Sequence, residues 1–213
     1  MDRAGWVVIL NGAPRSGKST VAETIQRNVD GVWMHMGVDM FAGQVTPPRL
    51  RPGLGLRPGG ERPELEPYIP ALFGAFYDSV AAHGRHGLNV IVDIGHHNAY
   101  TRPIDTLRDA AQRLRGLPAL LVGVRCPVDV IMQRRARVHP GREASYLTGT
   151  EEEPIPAPVL RWQIEVHRPG LYDLEIDTSV LSPAQCAAAI RDRLAGPEPT
   201  ALARLAGTAP GRE

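Results

Sequence analysis

The sequence predicts an α/β fold in which a parallel sheet of about five strands is covered by helices on both faces. Short apolar runs alternate along the chain with longer segments of helical periodicity, and this alternation is typical of parallel sheets. A glycine-rich turn joins the first apolar run to the first helical segment. Aspartates follow the second and third runs, at the carboxyl ends of strands, where ligands bind in such folds.

The predicted elements follow one another in a regular order. The strands are short, nearly continuous apolar runs, as expected when both faces of a sheet are buried, and they cover residues 6–10, 32–36, 88–92, 119–124 and 174–176. The intervening helices are predicted over residues 19–28, 68–83, 101–115, 128–137 and 158–167. Thr101 is the expected N-cap of the third of these helices. A last helix opens at Ser182 with a capping-box pattern.

One domain accounts for most of the chain. We expect it to cover residues 1–195, with a substrate loop over about 43–67 that is rich in Pro, Gly and Arg. Irregular segments of that length tend to be functional or disordered. An arginine-bearing lid is expected over about 134–157. Residues 196–213 have weak periodicity and carry Pro, Gly and Thr, which predicts a disordered tail.

Bulk properties exclude several classes of partner. The formal net charge is +1, so nothing in the charge favours nucleic acid as the main partner. The two cysteines, Cys126 and Cys186, are too few for a disulfide framework and predict free thiols in a reducing compartment. No apolar run approaches the ~18 residues that span a bilayer, and no signal-peptide pattern is evident. We therefore expect a cytoplasmic protein with no membrane partner. The sequence does not decide the oligomeric state, and a homo-oligomer is possible.

The single lysine of the chain, against 23 arginines, is the most specific signal. Lys18 falls at the lysine of the phosphate-binding pattern G-x-x-x-x-G-K-[ST], where a compact ammonium is needed and a planar guanidinium is not equivalent. The pattern predicts backbone amides around a phosphate, Lys18 on the β- and γ-phosphates of ATP or GTP, and the Ser19 hydroxyl on Mg²⁺. An ordinary surface loop is the alternative. The expected nucleotide-binding residues here are Gly12, Ala13, Pro14, Arg15, Ser16, Gly17, Lys18, Ser19 and Thr20.

Two aspartates at predicted strand ends are candidates for chemistry. Asp93 follows the third strand, where an acid supports Mg²⁺ beside a phosphate loop; a turn aspartate is the alternative. Asp39 follows the second strand, and a carboxylate there can accept the proton of an attacking alcohol. A helix-capping role for Asp39 is equally compatible with its position.

Further candidates are weaker. Arg134 and Arg137 are predicted to stabilise charge on the transferring phosphoryl group, although a solvated basic helix face is the alternative. Asp177 and Thr178 follow the last strand and are expected near the nucleotide. His96 and His97 follow Asp93 and either contact substrate or are solvated, and the sequence does not decide between these roles.

Five segments together resemble the chloramphenicol phosphotransferase family of small P-loop kinases. They are the first strand with its glycine loop through Ser19, residues 37–39 (Gly-Val-Asp), residues 90–93, residues 122–126 (Val-Gly-Val-Arg-Cys) and residues 172–178. The resemblance covers about residues 6–194. It implies a P-loop kinase-like three-layer sandwich and phosphorylation of an antibiotic hydroxyl that confers self-resistance. It also implies Asp39 as the catalytic base and Asp93 as the Mg²⁺-side acid. Family members can carry two adjacent acids at this point, whereas Ile94 follows Asp93 here.

Three functions therefore stand at this stage. The first is an O-phosphotransferase that acts on a chloramphenicol-like or nucleoside antibiotic. The second is a metabolic kinase for a nucleoside, a nucleotide or a small acid, whose charged acceptor could use Arg49, Arg51, Arg57 or Arg62. The third is a nucleotide-dependent switch without an acceptor.

Overall fold

The structure, a computed structural model, describes residues 4–137 and 147–207. A five-stranded parallel sheet lies at its centre, in the order β2-β3-β1-β4-β5. The strands are β1 (Val7–Asn11), β2 (Trp33–Gly37), β3 (Asn89–Ile94), β4 (Ala119–Arg125) and β5 (Leu174–Asp177). Since β1 is the central strand, the glycine-rich loop leaves from the middle of the sheet's carboxyl edge.

Helices connect the strands and cover both faces of the sheet. They are α1 (Lys18–Asn28), the single turn α2 (Val38–Met40), α3 (Ile69–Arg85), α4 (Thr106–Arg113), α5 (Val128–Ala136), α6 (Ala157–Glu165), α7 (Pro183–Leu194) and α8 (Ala201–Gly207). The capping box predicted at Ser182 is present at the start of α7. None of the helices in the described part of the chain combines the length and the apolar character needed to cross a membrane.

The alternation of strand side chains builds two separate cores. Successive residues of a strand point to opposite faces of the sheet, so Val7 and Ile9 of β1 pack with α3, α4 and α8. Val8 and Leu10 pack on the other face, with α1 and α7. These four side chains have no exposed surface. The predicted three-layer α/β fold is thus confirmed.

The predicted start of the helix over 101–115 is wrong. That helix, α4, begins at Thr106, and its N-cap is Asp105, whose carboxylate accepts a hydrogen bond from the amide of Arg108. Thr101 is instead bound through its amide and hydroxyl to the carboxylate of Glu66. A tertiary contact therefore replaces the local cap.

The prediction of a disordered tail is wrong for residues 201–207, which form α8. The carboxylate of Asp173 accepts hydrogen bonds from the amides of Thr200 and Ala201 at 2.7 and 2.9 Å. At the other end, Arg115 donates to the carbonyl of Ala206. The apolar side of α8 is buried against α4 and β4. Hydrogen bonds from residues distant in sequence thus cap both ends of this short helix. The rest of the predicted tail, residues 208–213, lies outside the described part of the chain.

The segment predicted as a substrate loop is irregular, with short turns only. One π-helical turn (Phe41–Val45) continues α2, and 3-10 turns cover Pro48–Leu50, Gly53–Gly55 and Glu66–Tyr68. The predicted lid lies partly outside the described residues, because 138–146 are not among them. Its described parts include the end of α5, with Arg134, and the first residue of α6.

Candidate active site

The glycine-rich loop between β1 and α1 has a backbone that larger residues could not adopt. A Cβ added to Gly12 would lie 2.5 Å from the carbonyl oxygen of Val124 and 2.9 Å from Ser16 Oγ. Gly17 has a φ of 96°, in the left-handed region that favours glycine. Since α1 begins directly after Gly17, the positive end of that helix faces the loop, which suits an anion.

Lys18 lies over the same loop and is buried. Its Nζ donates to the carbonyls of Gly12 and Ala13 at 2.9 and 3.0 Å and lies 3.7 Å from Asp93 Oδ1. Burial lowers the pKa of the Lys18 ammonium, while the charges of Asp93 and Asp39 oppose that shift. The ammonium is therefore held at a fixed position beside two carboxylates, where the terminal phosphates of a nucleotide would lie.

Asp93 is the anionic centre of the site. The register pairs it with Leu10 of β1 and with Gly37 of β2. Ser19 Oγ donates to its Oδ2 at 2.5 Å, and His35 Nε2 lies 3.8 Å from the same oxygen. Burial disfavours the carboxylate, but the charge of Lys18, the nearby His35 and the hydrogen bond from Ser19 hold the pKa of Asp93 below its ordinary value.

Two cavities meet at this point, and they share four lining residues: Arg15, Lys18, Ser19 and Asp39. The first cavity, of about 370 Å³, lies between the phosphate loop, the segment that follows α2, and α6. Its walls combine apolar and charged side chains. They include Val38, Leu54, Ile94, Val159 and Trp162, with Arg57 and Arg135 among them.

The second cavity is a groove of about 680 Å³ along the start of α1. It continues between the end of α5 and the turn after β5, and its lining includes Thr20, Arg134, Arg137 and Thr178. A groove that starts at the phosphate loop and runs along the helix N-terminus has the layout that a nucleotide requires. We refer to the first space as the acceptor cavity and to the second as the nucleotide groove.

Arg134 holds the nucleotide groove together through main-chain oxygens. Its guanidinium donates to the carbonyls of Arg15 and Thr178 and to Thr178 Oγ1. Arg15 in turn donates to the carbonyl of Arg134, and Thr178 Oγ1 donates to the carbonyl of Ser16 at 2.6 Å. These contacts connect α5, the phosphate loop and the turn after β5. Arg137 lines the groove one residue beyond the end of α5.

Asp177 has a local role, unlike its neighbour Thr178. Its Oδ1 accepts hydrogen bonds from the amide and the hydroxyl of Ser179. It is not among the described residues that line either cavity. The structure therefore brings Thr178 to the nucleotide groove and leaves Asp177 at the end of β5, where it binds the turn that follows.

A model of the chloramphenicol phosphotransferase-like protein family matches residues 5–195 of this chain. The chain belongs to this family. A Mycobacterium tuberculosis protein named as an inferred O-phosphotransferase, recorded from strains CDC 1551 and H37Rv, is 26% identical over 94% of this chain and 88% of its own length. Family and site together make the chain an enzyme that transfers a phosphoryl group to a hydroxyl.

Solved kinases have the same architecture. The APS kinase of Mycobacterium tuberculosis, in complex with AMPPNP and APS, has a TM-score of 0.60 at 16% identity, over 91% of this chain and 99% of that one. The shikimate kinase of Aquifex aeolicus has a TM-score of 0.55 at 16% identity, over 89% and 96%. At these identities the likeness shows the fold, which is that of P-loop kinases.

In this member of the chloramphenicol phosphotransferase-like family, both histidines after β3 are buried, and neither is solvated. His96 shares hydrogen bonds with Tyr77 and Thr106, at 2.6 and 2.8 Å. Burial, with a smaller contribution from His97, lowers the pKa of His96 to about 3. His97 Nε2 donates to the carbonyl of Leu56. His97 therefore holds the segment next to Arg57, while His96 belongs to the buried interior beside α3 and α4.

Several residues of the acceptor cavity were not singled out by the sequence. Trp162 lies on α6 among ordinary apolar positions, and Leu54 lies in an irregular segment, so neither carried a local signal. His35, which is not in the cavity lining but lies near Asp93, carried a weak local signal. This histidine lies two residues before Gly37 on the same face of β2. Because Gly37 has no side chain, the imidazole of His35 can approach Asp93.

Proposed function

We propose that this protein transfers the γ-phosphoryl group of ATP or GTP to a hydroxyl of a small-molecule antibiotic and so confers self-resistance. One observation carries the proposal. Asp39 and Lys18 line both the acceptor cavity and the nucleotide groove. This shared position supports Asp39 as the base and Lys18 as the phosphate-binding ammonium, at the point where an alcohol and a terminal phosphate would meet.

The nucleotide side of the reaction uses groups that are already in position. The amides of the phosphate loop and Lys18 hold the β- and γ-phosphates. Arg134 keeps Arg15 and Thr178 in place. Its guanidinium also lies close to Gly17 of the phosphate loop, 3.4 Å from the position that a Cβ on that glycine would take. Together with Arg137, it contributes positive charge beside the transferring group.

Asp39 acts on the acceptor side. It accepts the proton of the acceptor hydroxyl as that oxygen forms a bond to the γ-phosphorus. The bond from the γ-phosphorus to the oxygen that bridges to the β-phosphate breaks, and its electron pair stays on the nucleoside diphosphate. The products are a phosphate monoester and that diphosphate, and the proton on Asp39 is later lost to solvent.

Ser19 and Asp93 fit a magnesium ion. A hydroxyl and a carboxylate, 2.5 Å apart at their closest oxygens, are the oxygen ligands that Mg²⁺ takes in kinases, where phosphate oxygens and waters complete its shell. When bound, the ion would neutralise charge on the β- and γ-phosphates. Asp93 would hold it, and Lys18 would keep Asp93 ionised.

An antibiotic as acceptor is supported by the family's description and by the cavity. A space of about 370 Å³ lies in the lower range for small-molecule sites. Apolar walls next to a base suit the ring of a chloramphenicol-like alcohol or the base of a nucleoside antibiotic. The same walls argue against a switch without an acceptor, which would have no use for a cavity at Asp39.

A metabolic kinase with a charged acceptor is the second candidate. Of the four arginines considered for that role, Arg57 lines the acceptor cavity. Arg51 instead donates to the carbonyls of Thr46 and Gly43, and Arg62 donates to Glu64. Tight competitive inhibition by nucleoside monophosphates would favour this candidate.

A phosphotransfer screen tests the proposal. The protein is incubated with Mg²⁺ and ATP or GTP against a panel of antibiotics that carry free hydroxyls, and mass spectrometry records the gain of one phosphate. We expect at least one antibiotic to be phosphorylated on a hydroxyl. Phosphorylation of metabolites only would move the function to the second candidate, and nucleotide hydrolysis that no alcohol accelerates would contradict both.

A further inference from the structure

We propose that Arg57 selects the acceptor by binding an anionic group, a carboxylate or its equivalent, on an alcohol whose apolar body lies against Leu54, Val159 and Trp162. The inference rests on the proposed function, in that it takes the acceptor cavity as the place where the alcohol binds. It names the chemistry of that alcohol, which neither the family nor the phosphate loop defines. A charged antibiotic or the charged acceptor of the second candidate fits it, and a neutral alcohol such as chloramphenicol itself does not.

The position of Arg57 is fixed by contacts on both sides of it. Next to it, the carbonyl of Leu56 accepts a hydrogen bond from His97 Nε2 at 2.8 Å. Two residues further on, the amide of Gly59 donates to the carbonyl of Ala99 at 2.7 Å. Arg57 therefore belongs to a wall that is bound to the loop after β3.

The guanidinium of Arg57 has donors to spare. It makes no hydrogen bond to any residue in the described part of the chain, and its nearest acid, Glu61, lies at 3.8 Å. Both side chains are more than one third exposed, and an ion pair of that length and exposure contributes little. Arg57 is part of the cavity lining and Glu61 is not, so this weak pair leaves Arg57 available to a ligand in the cavity.

A planar fork of donors next to apolar walls recognises a particular kind of molecule. Arginine binds carboxylates with two parallel hydrogen bonds, while Leu54, Val159 and Trp162 provide apolar surface for a ring. If Asp39 is the base, the hydroxyl of the acceptor lies next to it, in the same cavity. The matching acceptor is an alcohol that carries a ring and an anionic group.

A matched pair of small probes tests the inference. 3-Hydroxy-2-phenylpropanoic acid has a primary hydroxyl, a phenyl ring and a carboxylate, and its carboxamide differs mainly in lacking the charge. Binding is measured through tryptophan fluorescence, since Trp162 lines the cavity, and transfer is measured by mass spectrometry. We expect wild-type protein to bind the acid about tenfold more tightly than the amide, because the carboxylate makes a charge-assisted pair with the guanidinium and the neutral amide does not.

Variants locate the source of that preference. Arg57→Gln should reduce the ratio of the two dissociation constants to about one, while Glu61→Gln should not reduce it. Arg62→Gln is the control, because Arg62 lies in the same segment and pairs with Glu64 at the surface. This control should keep the wild-type ratio.

The outcomes separate this inference from the proposed function. Equal binding of acid and amide, failure of both to bind, or a preference that survives in Arg57→Gln would overturn the role of Arg57. Phosphorylation of both probes at equal rates would do the same and would leave the phosphotransferase intact. A preference for the acid that depends on Arg57, with no transfer to any alcohol in the screen above, would support Arg57 and count against the proposed function.

Discussion

At the scale of single residues, Lys18 shows why one lysine occurs in a chain that otherwise uses arginine. Its Nζ reaches two carbonyls of the loop, those of Gly12 and Ala13, while it also approaches Asp93. A compact ammonium with three donors can serve these acceptors from one point, whereas a planar guanidinium needs more room and a different arrangement of acceptors. The position of Lys18 Nζ among these three acceptors therefore favours lysine over arginine at this site.

Lys18→Arg should lower nucleotide affinity despite keeping the charge. We expect the dissociation constant for the nucleoside triphosphate, measured by calorimetry, to rise by about tenfold or more, because the larger head group is excluded from the buried position. Arg27→Lys, on the exposed side of α1, is the control. Wild-type affinity in Lys18→Arg would show that charge alone matters at this position.

At the scale of elements, the walls of the acceptor cavity depend on contacts between two segments far apart in sequence. The buried carboxylate of Glu66 accepts hydrogen bonds from the amide and the hydroxyl of Thr101, and His97 donates to Leu56. These contacts bind the segment after α2 to the loop after β3. Away from the four lining residues that the cavities share, the nucleotide groove runs between the end of α5 and the turn after β5, so a change in the Glu66 contacts can perturb the acceptor cavity alone.

Glu66→Ala should damage acceptor use and spare nucleotide binding. The substitution leaves the amide of Thr101 without its acceptor, which costs about 1–3 kcal/mol when the group is buried, and it loosens the wall that carries Arg57. We expect kcat/KM for the acceptor to fall by about tenfold, equivalent to about 1.4 kcal/mol, with an unchanged dissociation constant for nucleotide. Glu64→Ala, in the same segment but exposed, should change neither; an equal effect of both variants would contradict the role of the Glu66 contact.

The sequence predicted the part of the site that depends on local spacing. The phosphate loop, Asp39 and Asp93 all lie within two residues of a strand end, and each occupies the predicted edge of the sheet. Arg57 was one of four arginines considered for a charged acceptor and could not be told apart from the other three, and Trp162 carried no local signal, because long-range contacts bring both to the cavity. Helix α8 was missed for the same reason, since its caps, Asp173 and Arg115, come from other parts of the chain.

At the scale of the whole molecule, buried histidines link stability to pH. The pKa of His96 is lowered to about 3 by burial and by the charge of His97. That of His167 is lowered to about 4 by burial and by nearby cations, Arg125 first among them. An unfolded histidine has a pKa near 6.5. Below that pH the unfolded state therefore takes up protons that the folded state does not, and stability falls as the pH decreases.

Chemical denaturation should detect this dependence. The free energy of unfolding should be highest above about pH 6.5 and should fall by up to about 1.4 kcal/mol per pH unit for each buried histidine as the pH drops toward 4.5. His96→Gln should reduce the slope, although it also lowers stability at every pH. His86→Gln, at an exposed position, should keep the wild-type slope, and an unchanged slope in His96→Gln would rule out His96 as a source.

The most direct measurement of the central claim, that Asp39 is the base where the two cavities meet, is a comparison of Asp39→Asn with wild-type protein. The single-turnover rate of phosphoryl transfer and the dissociation constant of the nucleotide are measured on the same samples. We expect the rate to fall by about 10²- to 10⁴-fold, the usual contribution of a general base, with nucleotide affinity nearly unchanged. Transfer at the wild-type rate in Asp39→Asn would contradict the claim.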